Sequence, residues 1–171
     1  MALTQKELIS SLQNEVRILV HLCSKVEPGM VDFHPTPKQR STVELLRYLT
    51  VMGPALVPAI KTAAFNGEAF GAAMAAAANL DFAAAVKSLE SQSAYYAEAI
   101  GAFSDAELSE EVDLFGSGSK MSRGQWIVNW VLCGHSAYRM QLFGYLKLCG
   151  REELNTSNVW MGMDPVKKQA A

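Results

Sequence analysis

Two polar residues stand four positions apart in the longest helical pattern of this 171-residue chain. His135 and Arg139 are one helical turn from each other, so they share a face of a helix running from Ser122 to Gly150. The rest of that face is apolar and is expected to point into a core. A histidine there could transfer a proton, and an arginine could offer paired N–H groups to a carboxylate or phosphate. The pattern predicts two polar side chains aimed at the interior.

Three further segments have apolar residues at helical spacing, each preceded by a residue type that caps helices. Tyr48 falls on the apolar stripe of the second of them and is expected to point inward. Together the four patterns predict an all-α single domain over residues 1–171. The expected helices cover about residues 4–26, 41–63, 81–103 and 122–150, with an irregular tail over 151–171 that folds back.

The second helix contains strong helix breakers. Gly53, Pro54 and Pro58 weaken or remove helical hydrogen bonds, so a kink or break is expected near Met52. The alanine- and glycine-rich stretch at 66–79 offers little bulk for packing. It is expected to form a long, partly helical connection between the second and third helices.

The composition excludes several kinds of partner. Half of the residues are hydrophobic, but no run reaches the roughly 20 apolar residues that cross a bilayer. The N-terminal segment lacks the features of a secretory signal, so a cytoplasmic protein is expected. The formal charge of −2 and the lack of a basic run argue against a nucleic-acid surface. We therefore expect neither a membrane nor a nucleic-acid partner.

The remaining residues with metal-binding or nucleophilic side chains are scattered. Cys23, Cys133 and Cys149 form no CxxC pair and are expected to fill the core. Cys133 is disfavoured as a nucleophile because residues two apart on a helix, as it is from the histidine that follows, point in different directions. His21 is expected on the solvent face of the first helix, and His34 in an exposed, proline-rich loop.

Two stretches resemble elements of the DinB/YfiT-like superfamily, a group of four-helix-bundle metalloenzymes. STVELLRYL resembles its Ser-x-x-x-Leu-Leu-x-His-Leu element, and GHSAYRMQLFGYLKLCG resembles its His-x-x-x-His-Arg-x-Gln element. The resemblance covers roughly residues 4–150. It implies an up-down-down-up-type four-helix bundle with a long connection between helices 2 and 3, and a divalent metal held by three histidines.

The resemblance places Tyr48, His135 and Arg139 at the three ligand positions. Arginine keeps its proton and cannot donate a lone pair to a metal, and neutral tyrosine is a poor ligand. The resemblance therefore implies a degenerate metal site. On this reading the three residues line a pocket that binds a small anionic ligand without metal. Alternatively, Tyr48 or a carboxylate holds Arg139 in a closed network, and no ligand binds.

Two other functions stay open. The chain could be a metal-dependent hydrolase or thiol transferase using zinc or nickel, with His21, His34 or a carboxylate replacing the missing ligands. It could instead be a structural or interaction protein without a ligand. No residue is assigned a catalytic role, and whether the chain is an enzyme stays undecided at this level.

We predict a homodimer. Large apolar residues fall in segments outside the four helices, where no bundle position is available for them, and related bundles often pair. The alternative is that these residues cover the ends of the bundle. Light scattering at micromolar concentration distinguishes the two, and a monomer mass would refute the dimer. The residues concerned are Phe65, Phe70, Trp160 and Met161.

Overall fold

The structure is a computed structural model that describes residues 3–165, and it is an all-α bundle. One segment, which we call the fourth bundle helix, is continuous from Arg123 to Leu148 and changes to π-helical winding at Ile127–Leu132. A 3₁₀ turn lies at Pro28–Met30, a π-helical turn at Ser157–Met161, and strands Glu111–Val112 and Met121–Ser122 pair antiparallel. The α-helices are α1 (Gln5–Cys23), α2 (Thr42–Thr62), α3 (Gly67–Ala77), α4 (Phe82–Gly101), α5 (Asp105–Ser109), α6 (Arg123–Trp126) and α7 (Cys133–Leu148).

Helix α4 is antiparallel to α1 and parallel to α2. At the start of α1, the Gln5 amide donates to the carbonyl of Ile100 at the end of α4, over 3.1 Å. At the end of α2, the Lys61 ammonium donates to the carbonyl of Ala102, just after α4, over 2.9 Å. The C-terminal end of α4 therefore meets the beginning of α1 and the end of α2.

The fourth bundle helix is antiparallel to α2. Arg123, at its start, donates through Nε to the carbonyl of Ile60 near the end of α2, over 3.0 Å. Tyr145, near its end, donates to the carbonyl of Arg40, before α2 begins, over 2.9 Å. Both α1 and α2 pack against α4 and against the fourth bundle helix. These directions confirm the predicted up-down-down-up bundle.

Local signals set the helix ends. At Gly150, φ is +91°, and the N–H groups of Gly150 and Arg151 bond the carbonyls of Lys147 and Leu146 over 3.1 and 3.0 Å. This is a Schellman motif, which needs a left-handed residue such as glycine at this position. The predicted N-terminal caps are also confirmed, at Thr4, Ser41, Asp81 and Ser122.

Helix α2 has no break near Met52, contrary to one of the two outcomes expected from its prolines. Pro58 lacks the N–H that would normally bond the carbonyl of Pro54. The Tyr95 hydroxyl of α4 donates to that carbonyl instead, over 3.3 Å. A side chain of the neighbouring helix thus replaces one of the missing hydrogen bonds, and tertiary packing keeps the helix continuous.

Within residues 3–165, α2 is also the helix long and apolar enough to cross a membrane by length and composition. About two thirds of its apolar window, 67%, is buried inside the bundle. Core helices of soluble proteins have the same composition, and here the apolar surface packs against α4 and the fourth bundle helix.

Two of the predictions about exposure were wrong. His21 is largely buried, because the segment after the fourth bundle helix folds back over the end of α1 and Asn158 bonds the His21 ring over 3.1 Å. Cys133 is exposed rather than in the core, since it lies on the outer side of the fourth bundle helix. Cys23 is buried as expected, and Cys149 is half-buried.

The residues behind the dimer prediction divide into two groups. Phe65 and Phe70 are half-buried, and their tilted rings contact each other at the start of α3 with centroids 5.7 Å apart. Trp160 and Met161 lie on the surface, each 58% exposed. The first pair covers the bundle, whereas the second leaves apolar surface in solvent. The homodimer stays a prediction that rests mainly on Trp160 and Met161.

Gly53 leaves room for a buried tyrosine, and we predict that Gly53→Ala destabilises the protein. A Cβ at this position would overlap the Tyr96 hydroxyl and lie 2.8 Å from its ring carbon Cζ. Alanine normally stabilises a helix interior by roughly 0.5–1 kcal/mol relative to glycine. Overpacking should reverse the sign and give a net loss of about 2 kcal/mol in urea unfolding.

Gly144→Ala is the matched control, because it lies inside α7 and no atom lies within 4 Å of the added Cβ. It should be neutral or stabilising. Gly53→Ala combined with Tyr96→Phe should recover part of the loss. Equal effects of the two single changes would contradict the proposed overlap.

Candidate functional site

His135 belongs to a hydrogen-bonded chain that crosses the bundle. Its side chain is fully buried, and Nε2 lies 2.6 Å from the hydroxyl oxygen of Tyr96 in α4. The Tyr96 hydroxyl lies 3.2 Å from Oε1 of Gln92, and the Gln92 amide donates to the carbonyl of Leu49 over 2.9 Å. His135 thus connects the fourth bundle helix through α4 to α2.

One arrangement of protons satisfies most of this chain. His135 donates from Nε2 to Tyr96, and Tyr96 donates to Gln92. Burial lowers the pKa of His135 to about 4 and raises the pKa of Tyr96, so both groups are neutral near pH 7. Nδ1 of His135 is buried and has no hydrogen-bond partner within residues 3–165. The cluster is therefore an uncharged structural connection.

Arg139 is held by a carboxylate on the opposite helix. Its guanidinium lies 2.8 Å from Oε1 of Glu15 in α1, and it also bonds the Ser136 hydroxyl over 3.2 Å. The Trp160 ring covers it, with the centroid 4.9 Å from Cζ. Burial raises the pKa of Glu15, and the positive charge of Arg139 opposes that shift. The charge that was expected to bind an anionic ligand is already compensated within the bundle.

The sequence contained a signal for this pair. Glu15 interrupts the apolar stripe of α1, just as Arg139 interrupts that of the fourth bundle helix. A buried charge requires a partner of opposite sign, so the two interruptions could have been matched. The structure thus gives Arg139 a carboxylate partner, as one of the two alternatives expected. The network is not fully satisfied, because Glu15 Oε2 and Arg139 Nε have no hydrogen-bond partner within residues 3–165.

Tyr48 lies apart from both residues. Its ring contacts Tyr138 edge-on, with centroids 5.1 Å apart, and the guanidinium of Arg40 lies 4.2 Å from its centroid. Burial, and next the neighbouring Tyr138 hydroxyl, raise the pKa of Tyr48 to about 12. Tyr48, His135 and Arg139 thus have different contact partners, and none of the cavities described within residues 3–165 is lined by all three.

Tyr48 instead lines a cavity of about 380 Å³ between α2 and the fourth bundle helix, which we call the Tyr48 cavity. The side chain of Trp130, 45% exposed, stands at its edge. Gly134 brings the helices close together, since a Cβ there would lie 2.8 Å from Sδ of Met52. The π-helical winding ends just before Gly134, and such winding often occurs at functional sites. The residues that line the Tyr48 cavity are Tyr48, Met52, Leu56, Asn129, Trp130, Cys133, Gly134, Ala137 and Tyr138.

The grouping suggests another register for the His-x-x-x-His-Arg-x-Gln resemblance. Shifted by one residue, the element puts Arg139 and Gln141 on its Arg-x-Gln, and Gly134 and Tyr138 at its histidine positions. Gly134 and Tyr138 line the same cavity as Tyr48 does. His135 and Arg139 do not line that cavity. In this register, the three positions at which the resemblance implies metal ligands all fall around one cavity.

The side chains around the cavity do not fit a metal ion. Glycine has no donor atom in its side chain, and a neutral tyrosine hydroxyl is a weak ligand. In the part of the chain that the structure describes, no three His, Cys, Asp or Glu side chains lie close enough together to hold a metal. His21 and His34 have partners of their own, Asn158 and the Gln39 carbonyl.

An up-down-down-up bundle with a cavity between its second and fourth helices defines the class of this protein. The structure resembles the crystal structure of a DinB-like protein, YjoA, from Bacillus subtilis, with a TM-score of 0.66 and 14% sequence identity. The match covers 86% of this chain and 94% of that protein. The chain therefore has the DinB-like fold, as the sequence predicted. No protein-family model and no curated protein sequence matches it.

We predict that Arg139→Met destabilises the protein by about 3–5 kcal/mol, because it leaves the Glu15 carboxylate buried without its counter-charge. Replacing both residues, Glu15→Leu with Arg139→Met, should recover most of that loss. The loss should shrink as the pH falls, because burial raises the pKa of Glu15 and protonation removes the unpaired charge. Urea unfolding measures each variant.

Arg17→Met controls for loss of an arginine, since Arg17 is exposed on α1. It should cost less than about 1 kcal/mol. A small loss in Arg139→Met with no recovery in the double variant would mean that Glu15 does not neutralise Arg139. Arg139 would then again be a candidate for binding an anion.

Proposed function

We propose that this protein binds a small molecule in the Tyr48 cavity, without a metal ion. The observation that carries the proposal is the composition of the cavity wall, where three aromatic rings and apolar groups line an open cavity of about 380 Å³ at the positions for which the resemblance implies ligands. Small-molecule sites have this size range, with few polar groups. His135 and Arg139 are buried against Tyr96 and Glu15 and line none of the described cavities, which favours the Tyr48 cavity over the bundle core.

The ligand is expected to have a flat apolar body. Trp130, Tyr48 and Tyr138 offer ring faces and edges, which favour aromatic or planar groups. The hydroxyls of the tyrosines and the amide of Asn129 can supply a few directed hydrogen bonds. Such a wall selects a shape and an orientation rather than a charge.

We still expect the ligand to be anionic, as the sequence indicated. We now propose that Arg40, and not Arg139, binds its negative group. Arg40 stacks on the ring of Tyr48 and forms no ion pair within residues 3–165. Its N–H groups are free to bind a carboxylate or phosphate. We propose that the apolar body lies in the Tyr48 cavity and that its acidic group points toward Arg40.

The metal-dependent hydrolase or transferase is the second candidate, and the DinB-like fold is what favours it. It needs a set of ligands that the cavity wall does not offer. The exposed thiol of Cys133 at the cavity and the buried imidazole of His135 are single donors that point to different surroundings. Binding without metal therefore accounts better for the residues around the cavity. A cytoplasmic location remains part of the proposal.

We predict that a neutral aromatic probe, N-phenyl-1-naphthylamine, binds saturably with increased fluorescence, and that Ala137→Phe abolishes this. Ala137 lines the cavity from an exposed helix position, so a larger side chain should fill the space without disturbing the core. Ala97→Phe is the matched control, because Ala97 is exposed on α4 away from the cavity. It should leave binding unchanged.

Equal binding by both variants would place the probe elsewhere and refute the cavity as the site. Metal analysis of protein purified without an affinity tag tests the second candidate function, the metal-dependent enzyme. Stoichiometric zinc or nickel, lost on His135→Ala, would favour the metal-dependent enzyme instead.

A further inference from the structure

A second cavity, with basic walls, opens beside the first. It encloses about 450 Å³ between the loop at residues 34–40, the first turns of α2 and the end of α3. Arg40 belongs to its wall and also stacks on Tyr48, which lines the Tyr48 cavity. The stacking contact between Arg40 and Tyr48 therefore joins the wall of one cavity to the wall of the other. We call the second one the Arg40 cavity.

The Arg40 cavity concentrates positive charge on an acidic protein. Lys38, Arg40 and Arg47 line it, against one carboxylate, Glu44, whereas the whole chain carries a formal charge of −2. The Glu44 carboxylate already accepts the backbone N–H of Ser41 over 2.7 Å as part of the helix cap. The cavity thus holds an excess of two positive charges, with His34 taken as neutral.

The two arginines are oriented by contacts that leave most of their donors unused. Arg47 bonds the carbonyl of Leu80 through Nε, over 2.7 Å, which fixes its guanidinium and leaves the terminal nitrogens free. Arg40 rests on the ring of Tyr48. Neither they nor Lys38 form an ion pair within the described part of the chain. Preoriented guanidinium groups suit two-point binding of an oxyanion.

The loop that carries Lys38 and Arg40 has a fixed shape. His34 Nδ1 lies 2.9 Å from the carbonyl of Gln39, and the Thr36 hydroxyl donates to the Gln39 side chain over 3.1 Å. The Tyr145 hydroxyl holds the carbonyl of Arg40 over 2.9 Å. Because these bonds close the loop onto itself and onto α7, the cations need little reorganisation to bind an anion.

We propose that the Arg40 cavity binds an oxyanion carrying two negative charges, either a phosphate group or a dicarboxylate. Three cations and one carboxylate, Glu44, line one concave surface and leave it a net positive charge, and the arginine forks provide the geometry. Anion binding here needs no occupant in the Tyr48 cavity. That one molecule occupies both cavities, with its acidic group at Arg40, rests on the proposed function.

Calorimetric titration of the full chain with inorganic phosphate and, separately, with succinate tests the anion site and distinguishes the two sources. We expect saturable binding of at least one of them at about 1 mM or tighter, weakened by added salt. Lys38→Gln and Arg40→Gln should each weaken binding roughly tenfold. Lys6→Gln removes the same charge from an exposed position on α1 and should have no effect.

Absence of saturable binding up to about 20 mM of either anion, or equal weakening by Lys6→Gln, would overturn the anion site. Phenyl phosphate then tests whether the cavities act together. It should bind tighter than inorganic phosphate, and Ala137→Phe should remove only that advantage. If phenyl phosphate and phosphate bind equally well, one molecule does not span both cavities, although the anion site stands. If the neutral probe also fails to bind, the proposed function fails independently.

Discussion

Glu15 and Arg139 meet 2.8 Å apart inside the bundle, and this contact constrains much of the structure around it. Two charges removed from water cost several kcal/mol each, and only close pairing with additional hydrogen bonds offsets that cost. The pair therefore fixes how α1 lies against the fourth bundle helix. It also explains why the returning segment places Trp160 over the guanidinium, where the ring limits access of water to the pair.

The second polar connection lies elsewhere in the interior and carries no charge. His135, Tyr96 and Gln92 form a chain of hydrogen bonds that ends on a backbone carbonyl of α2. The chain needs space between α2 and α4, and Gly53 provides it. Within residues 3–165, the buried side-chain polar atoms without a hydrogen-bond partner are Glu15 Oε2, His135 Nδ1 and Arg139 Nε, and no described cavity is lined by any of these three residues. Recognition of a ligand therefore depends on surfaces outside the core.

Those surfaces are built on the N-terminal half of α2 and its neighbours. The ring of Tyr48 faces one cavity, and the guanidinium of Arg40 that stacks on it faces another. The apolar wall of the Tyr48 cavity and the basic wall of the Arg40 cavity are thus in contact through these two side chains. In this chain, the first of these cavities lies between the second and fourth bundle helices of the DinB-like fold. The residues that line it determine which chemistry that cavity can support.

Much of the fold could be predicted from the sequence because its signals are local. A cap such as Ser122 acts on N–H groups within one turn, and Gly150 ends the fourth bundle helix through its own backbone conformation. The apolar stripes likewise depend only on spacing along one helix. The four helices and most of their ends therefore follow from short stretches of chain, whereas the up-down-down-up order was expected from the resemblance alone.

The site could not be predicted in the same way, because it depends on how the helices are rotated against each other. Each residue turns a helix by about 100°, so a register shift of one position exchanges Tyr138 for Arg139 at the cavity. Sequence placed Arg139 in the interior, but only the tertiary structure showed that Glu15 neutralises it.

The basic wall of the Arg40 cavity also depends on the tertiary structure. Lys38 and Arg40 come from a loop and Arg47 from α2, and no basic run marks them in the sequence. The exposure of His21 was likewise decided by the returning segment, which lies 137 residues away at Asn158. The sequence by itself determined the helices and their polar interruptions. The tertiary structure decided which of these residues meet, because those contacts join segments far apart in the chain.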